Sequence, residues 1–412
     1  MNKISTSLLI VGAGPAGLAA AAAASKHTEV AMVDDNPHTG GQIWRATKGK
    51  IGDRTARRLV GQIENSRMKF INGTQVFDMA PDNALLADSL NGAVEIAFEK
   101  LIVATGARER FLPFSGWTLP GVFGAGGLQA LVKGGLDVRG KHIVVAGTGA
   151  LLLAVAAHLR SHGAKILAVA EQTSTAKIRK FAGGLWRSPA KLAQAGRLRS
   201  KLIGVPYLTD CWVTAANGTE KLENVELSRK NKRWTLNCEL LACGFHLVPN
   251  TELAELLGCE IRDGFVAVDR YQQTSKPNIF CAGEPTGVAG VEAALIEGSI
   301  AGLAAADKRS EAEKLFAKRE RAHAFGRRLD ETFALRDELK SLSHAETIVC
   351  RCEDVEYGRL KEFTTFRDAK LQTRCGMGPC QARICGLATQ FLFGWERPGV
   401  RPPIFPVKMD HL

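Results

Sequence analysis

The chain has 412 residues, 45% apolar and 23% charged, the mixture of a globular protein of two to three domains rather than a disordered chain, a collagen or a coiled-coil rod. Lysine plus arginine outnumber aspartate plus glutamate by 54 to 42, a net charge of +12. With aromatics at 7% and no basic block interleaved with them, the balance excludes nucleic acid as the partner and points to anionic cofactors, an acidic partner or at most peripheral membrane contact.

The first unit reads strand–turn–helix–strand. Ser7–Val11 is a short apolar strand, Gly12-Ala-Gly14-Pro15-Ala16-Gly17 a turn, residues 15–25 an alanine-rich helix, and residues 29–33 a second strand ending in Asp34-Asp35. The spacing of the three glycines, between a strand and a helix and followed by an acid, is a dinucleotide-binding fingerprint. Gly12 allows the tight turn, Gly14 lets backbone N–H groups approach a pyrophosphate, and Gly17 lets the helix pack on the strand. The helix N-terminus offers positive partial charge to phosphates. Asp34 stands where a carboxylate accepts hydrogen bonds from ribose hydroxyls.

Residues 100–108 form a further buried strand that ends in Thr105-Gly106. A second strand–turn–helix unit follows, with Gly147-Thr-Gly149 as its turn and Glu171 at the end of its second strand. This loop is degenerate: Leu152 replaces the third glycine and is expected to push the helix away or narrow the pocket. A closing strand at residues 276–283 ends in Gly283-Glu284 and runs into a small-residue helix over 289–306. Ser310-Glu-Ala-Glu313 reads as a capping box that opens a charged helical linker. Leu8–Ala24 and Ile143–Leu159 are apolar runs, but each falls short of the ~20 residues that span a bilayer and holds a Gly-x-Gly turn. The expectation is a cytoplasmic protein, at most peripheral at the inner face of the membrane.

Five of the ten cysteines crowd near the end of the chain, which suggests metal binding in a reducing compartment. Cys350-x-Cys352 and Cys375-x4-Cys380 supply four thiolates from two loops, enough for zinc or a [2Fe–2S] cluster. Cys-x-Cys is tight for tetrahedral zinc, and the cluster is preferred. Cys385 reads as a packing residue. Cys211, Cys238, Cys243, Cys259 and Cys281 lie far apart and read as buried hydrophobes. The nine histidines, His323 among them, are scattered, and no acid–base residue is assigned.

The order of these motifs resembles the two-dinucleotide-binding-domain flavoproteins. The resemblance implies FAD held by Gly12, Gly14, Pro15, Ala16, Gly17, Asp34 and Asp35, with Gly41-Gln42 of a Gly-Gly-Gln stretch beside the flavin. It adds Thr105 and Gly106 in the crossing loop and Gly283-Glu284 at the ribitol, Glu284 standing where the family has Asp. The tail, with Cys-x-Cys-Glu-Asp-Val and Gly-Met-Gly-Pro-Cys-Gln, is similar to the bacterioferritin-associated-ferredoxin type of [2Fe–2S] domain. Together with Thr-Gly-Gly-Gln-Ile-Trp-Arg45 these stretches resemble the α (A) subunits of heteromeric amino-acid dehydrogenases of the D-hydroxyproline dehydrogenase, opine oxidase and hydrogen cyanide synthase type. The fold implied is α/β: two Rossmann-like domains, the second inserted in the first, plus a small helical iron–sulfur domain.

The expected boundaries are 1–113 with 277–310 for FAD, 114–276 for the degenerate domain, 311–343 for the linker and 344–412 for the cluster. The resemblance also implies a glycine-oxidase-like β subunit that oxidises the carbon–nitrogen bond, an FMN between the subunits, and room for a small third ferredoxin-like subunit. The occupant of the second domain, through Gly147, Gly149 and Glu171, stays open between ATP, NAD and nothing. Two rival readings remain: a self-contained NAD(P)H-dependent flavin reductase, and an adenine-nucleotide-binding scaffold subunit.

Overall fold

A computed structural model describes residues 2–45, 52–64, 66, 68–230, 232–397 and 399–411. Two units divide the chain: Met1–Arg108, Leu247–Arg327 and Gly399–Leu412 form the first, Glu109–His246 and Arg328–Pro398 the second. The boundary expected at 276 thus falls at 246. The cause is apolar burial, because Leu253, Ala254, Cys259 and Val266 share a core with Leu9, Leu101 and Val103. Residues 399–411 also leave the cysteine-rich region. Ile404 donates its N–H to the Phe77 carbonyl at 2.7 Å, and the His411 ring meets Asp88 at 2.7 Å.

The first unit opens with β1 (Asn2–Val11), α1 (Pro15–Ala24) and β2 (Val30–Val33), followed by β3 (Met68–Ile71), β4 (Thr74–Ala80), β5 (Ala84–Ser89) and β6 (Gly92–Val103). In the sheet these strands stand β3-β2-β1-β6-β5-β4, with β1 parallel to both β2 and β6.

The second unit carries β7 (Val122–Gly124), α2 (Ala125–Lys133), β8 (His142–Thr148), α3 (Ala150–Ser161) and β9 (Lys165–Glu171). Two short helices follow, α4 (Thr175–Gly184) and α5 (Pro189–Ser200), then β10 (Tyr207–Thr209). An antiparallel three-stranded sheet of β11 (Cys211–Asn217), β12 (Asn224–Arg229) and β13 (Lys232–Asn237) precedes β14 (Leu240–Phe245). The main sheet is parallel in the order β10-β9-β8-β14-β7.

The chain then returns to the first sheet as β15 (Ile279–Cys281), parallel to β6, and continues into α6 (Val291–Ala305) and α7 (Phe316–Phe333). Helix α6 explains the alanine run of α1. A Cβ on Gly298 would stand 2.0 Å from the Ala16 carbonyl oxygen, and one on Gly302 2.3 Å from that of Ala20. The two helices meet backbone to backbone, which only small side chains permit. Eight of the ten residues of α1 are buried as a result.

Ser310 does not cap the linker. The short helix Arg309–Glu313 starts one residue earlier, at a Lys308 cap without a side-chain hydrogen bond. The tail forms β16 (Ile348–Cys350), β17 (Val355–Glu356), α8 (Phe366–Thr373) and α9 (Cys385–Phe393) around Val349, Leu360, Phe366, Ala388 and Trp395. Both apolar runs resolve into strand, turn and helix. Among the described residues no helix is long and apolar enough to cross a membrane.

Candidate functional site

The loop between β1 and α1 is built by close approach. Gly12 has φ +109°, and a Cβ there would meet the Ala104 carbonyl oxygen at 2.2 Å; one on Gly17 would meet the Gly12 carbonyl oxygen at 1.8 Å. Gly14 differs, with φ −76° and open space where its Cβ would stand. Its lack of a side chain is therefore not required by the protein's own packing. What it preserves is the hollow in front of the α1 N-terminus, the anion-binding end of a helix. Pro15 and Ala16 form the first turn above it. Gly41, at φ +57°, leans on the loop, with its would-be Cβ 2.9 Å from the Gly14 Cα. Gln42 accepts from Arg45 at 3.2 Å.

Asp34 ends β2 with its carboxylate turned to the loop. Oδ2 accepts from the Ala13 N–H at 2.6 Å and Oδ1 from the Asn36 N–H at 2.8 Å. Partial desolvation, with the neighbouring Asp34 charge, pushes the Asp35 carboxyl up to about 6. Thr105 and Gly106 are clamped by a residue that sequence reasoning missed. Asn250 accepts from the Thr105 hydroxyl at 2.7 Å through its carbonyl, returns a side-chain bond to the Thr105 carbonyl at 2.9 Å, and donates its N–H to the Gly106 carbonyl at 2.9 Å.

Glu284 lies beside this loop, its Oε2 3.9 Å from where a Gly106 Cβ would stand. Burial raises its carboxyl above the ordinary range. Behind the Gly283–Glu284 turn sits a second residue the sequence reading passed over. Glu297, 1% exposed on α6, accepts from the Gly283 N–H at 2.8 Å and the Thr286 hydroxyl at 3.0 Å, while its other oxygen meets the His323 ring of α7. A lone acid in the apolar run Ala-Leu-Ile-Glu-Gly was the available signal. An open hollow at a helix N-terminus and a raised carboxyl without a protein partner among the described residues fit an adenine–flavin dinucleotide.

The second loop has the same grammar and a different state. Gly147, at φ +131°, is pinned by the Gly244 carbonyl, which a Cβ would approach to 1.9 Å. Leu152 packs into the core: it is 0% exposed, and its Cδ2 lies 3.4 Å from where a Gly244 Cβ would stand. Glu171 is wholly buried and spends its carboxylate on the loop. Oε2 accepts from the Gly149 N–H at 2.7 Å, and Oε1 from the Thr148 hydroxyl and Thr173 N–H, both at 2.9 Å. Burial still raises its carboxyl above the ordinary range. The end of α7 meets the residues on either side of this acid, Thr148 and Gln172. The Phe333 carbonyl stands 3.1 Å from the Thr148 hydroxyl and accepts from the His246 ring at 2.6 Å, while Arg336 donates to the Gln172 carbonyl at 3.1 Å.

In the tail, the Sγ atoms of Cys350, Cys375 and Cys385 lie within 4.8 Å of one another, all buried. Hydrogen bonds from the thiols of Cys375 and Cys385 hold Cys350 far below the ordinary thiol range. Cys380 is brought down to about 5, chiefly by Cys385, and also meets Cys352. Cys385 is therefore not a spare packing residue, since it touches three of the other four thiols. Helix α9 starts at Cys385 and so aims it into the group. Gly378 leaves room for Cys352, whose Cβ would lie 2.3 Å from a Gly378 Cβ. Arg374 and Glu353, each next to a cysteine, pair at 2.7 Å and tie the two loops together. Soft thiols in this number, three of them buried, Cys380 half-buried and Cys352 exposed, suit an iron–sulfur centre or zinc. The five remaining cysteines are buried in the apolar cores; burial pushes Cys211 and Cys238 up to about 12.

The profile of the pyridine nucleotide-disulphide oxidoreductase family matches residues 6–305. The chain is 30% identical to a hydrogen cyanide synthase subunit of Pseudomonas aeruginosa, over 97% of its own length and 96% of that protein's. It is 29% identical to an opine oxidase subunit of Agrobacterium tumefaciens, over 98% and 91%. Among solved structures, L-proline dehydrogenase from P. horikoshii superposes with a TM-score of 0.69 at 21% identity, covering 100% of this chain and 80% of that one. A T. acidophilum thioredoxin reductase gives 0.57 at 20% identity, covering 74% and 98%.

Proposed function

The chain belongs to the pyridine nucleotide-disulphide oxidoreductase family, and from that premise we propose that it is the FAD- and [2Fe–2S]-holding subunit of a heteromeric dehydrogenase. The complex oxidises the carbon–nitrogen bond of an amino acid or derivative, of D-hydroxyproline or opine type. A flavin-containing, glycine-oxidase-like β subunit performs that oxidation, and this chain passes the electrons to a one-electron or quinone acceptor. A bound flavin takes up two electrons and an iron–sulfur cluster transfers one at a time. The observation that carries the reading is the presence, in one chain, of a nucleotide cradle left open at Gly14 and a buried group of thiols. The two relatives, each of them one subunit of a larger enzyme, support a partnered protein.

In this reading Gly14 and the α1 N-terminus receive the pyrophosphate, Asp34 orders the loop at the ribose, and Glu284 faces the ribitol. Gly41, Gln42, Thr105 and Gly106 line the flavin side. Cys350, Cys352, Cys375 and Cys380 are joined by Cys385, giving five thiols for a cluster that uses four. An FMN between the subunits and a third, ferredoxin-like subunit belong to the same proposal, as does a cytoplasmic location. The rival NAD(P)H reductase is disfavoured by the second loop, where Glu171 is wholly buried and the end of α7 reaches Thr148.

The test is composition and partition of activity. The purified chain should hold about one FAD and, prepared without oxygen, about two irons and two sulfides. Alone it should not oxidise amino acids or opines, and NADH should not bleach its flavin. Co-expressed with a glycine-oxidase-like partner it should give a complex that reduces dyes. Cys385→Ser should lower iron at least as much as Cys375→Ser, because Cys385 touches more thiols. Stoichiometric zinc without iron, or full dehydrogenase activity in the lone chain, would overturn the proposal.

A further inference from the structure

The strongest charge asymmetry of the molecule lies outside both cofactor regions. Between Glu171 and Asp210 the chain carries eight lysines and arginines, from Lys177 to Lys201, and no acid. The whole protein's net charge is +12, so this one stretch supplies two-thirds as much positive charge as the entire balance. It folds as α4, the turn at Leu185–Arg187, and α5. Neither helix has a fully buried residue, in contrast to α1.

The same stretch exposes large apolar side chains that a water-facing surface has no use for. Trp186 is 68% exposed, Leu192 47% and Ile203 71%. On α5, Pro189, Leu192, Ala193 and Gly196 recur at the spacing of a single helical face, and all four are exposed. Arg197 and Arg199 border that face on its two sides by the same period. The opposite face, with Lys191, Ala195 and Leu198, is half-buried. Exposed Trp186, Leu192 and Ile203 among eight cations and no acid offer an anionic headgroup layer both apolar contact and charge.

We propose that residues 175–203 form a docking surface for an anionic lipid bilayer, with Trp186, Leu192 and Ile203 entering the headgroup region and the surrounding lysines and arginines meeting lipid phosphates. Lipid is favoured over an acidic protein because four of the eight cations are lysines, which are depleted from protein–protein interface cores, whereas each cation of either kind near an anionic membrane adds attraction. The inference stands apart from the electron-relay reading, since it uses none of the residues of the flavin cradle or the thiol group.

The experiment is co-sedimentation of the full chain with vesicles of phosphatidylcholine alone and of phosphatidylcholine with phosphatidylglycerol, at low and high salt. Binding is expected only with phosphatidylglycerol and should fade as salt screens the charges. The triple variant Lys177→Gln/Lys180→Gln/Arg197→Gln should bind about a hundredfold more weakly. Trp186→Ser should also weaken binding, and the blue shift of tryptophan emission on vesicles should be missing in Trp186→Phe. Flavin absorbance and melting temperature, read on each variant, report that the fold is kept. Absent binding to the anionic vesicles, equal binding to neutral ones, or an unaltered triple variant overturns the proposal. So does loss of a bound acidic protein by the triple variant in place of any vesicle effect.

Discussion

The two glycine-rich loops share a strand, a Gly-x-Gly turn, a helix and an acid at the end of the next strand, and they differ in what the acid faces. Asp34 of the first loop takes three donors, from Ala13 and from the backbone and side chain of Asn36, and leaves the hollow over Gly14 open. Glu171 of the second loop takes as many donors, two from its loop and one from Thr173, but it is 0% exposed and the Phe333 carbonyl stands at the neighbouring Thr148 hydroxyl. The third position differs as well. Gly17 is obligatory, because Gly12 lies against it, while Leu152 is held in the core with its Cδ2 beside Gly244. One fold thus yields an open cradle and a closed structural joint. The comparison teaches that the glycine pattern specifies the loop's shape, and that its occupant is decided by whatever covers the acid.

The sharpest way to break this comparison is to place the same valine in both loops. Gly14→Val fills open space on an ordinary backbone, so the chain should fold, yet flavin affinity should fall about a hundredfold or more, as overpacking by ~3 kcal/mol implies. Gly149→Val, at φ +99°, should leave flavin content unchanged and lower stability by about 1–2 kcal/mol through backbone strain. Flavin-to-protein absorbance ratios and melting curves read both. Equal flavin loss in the two variants would erase the distinction.

A second change probes the closed joint. In Glu171→Gln the side-chain amide must turn an NH2 toward the Gly149 or Thr173 N–H, leaving buried donors face to face. Urea unfolding should report a loss of about 2 kcal/mol, with flavin content kept. Wild-type stability in this variant would mean that the acid is not holding the loop.

The smallest effect belongs to Asp35. Its carboxyl is raised in the folded chain from 3.8 to about 6, so the ionised form is disfavoured by folding. The penalty is absent below pH 4 and reaches its full size as pH rises through 6. Asp35→Asn should therefore raise the melting temperature at pH 7 and not at pH 4. The gain should stay below about 1 kcal/mol, because the side chain is partly exposed and screened.

Much of this is legible in the chain itself. The glycines of both loops, the acids ending β2 and β9, and the two cysteine pairs are fixed by spacings of a few residues, which backbone geometry converts directly into turns, helix starts and strand ends. Leu152 stands out in the sequence as a departure. Its consequence does not, since the core that buries it is shared with Ala125, Leu128 and Ala242, distant in the chain and silent in any local pattern. The alanine run of α1 likewise has no meaning until Gly298 and Gly302 of α6 are laid against it.

The sequence by itself determined the kind of loops the protein makes, the family they belong to and the presence of a thiol-rich tail. Tertiary structure alone decided that Cys385 joins the thiols, that Asn250 clamps Thr105, that Glu297 and His323 brace the Gly283 turn, and that Phe333 closes the second loop. It also moved the domain boundary to 246, where apolar burial of Leu253 and Val266 outweighs position in the chain. The physical reason is range. Periodicity and capping act within about ten residues, whereas convergence of buried thiols, carboxylates and carbonyls depends on the path of the whole backbone and on which polar groups burial obliges to find a partner.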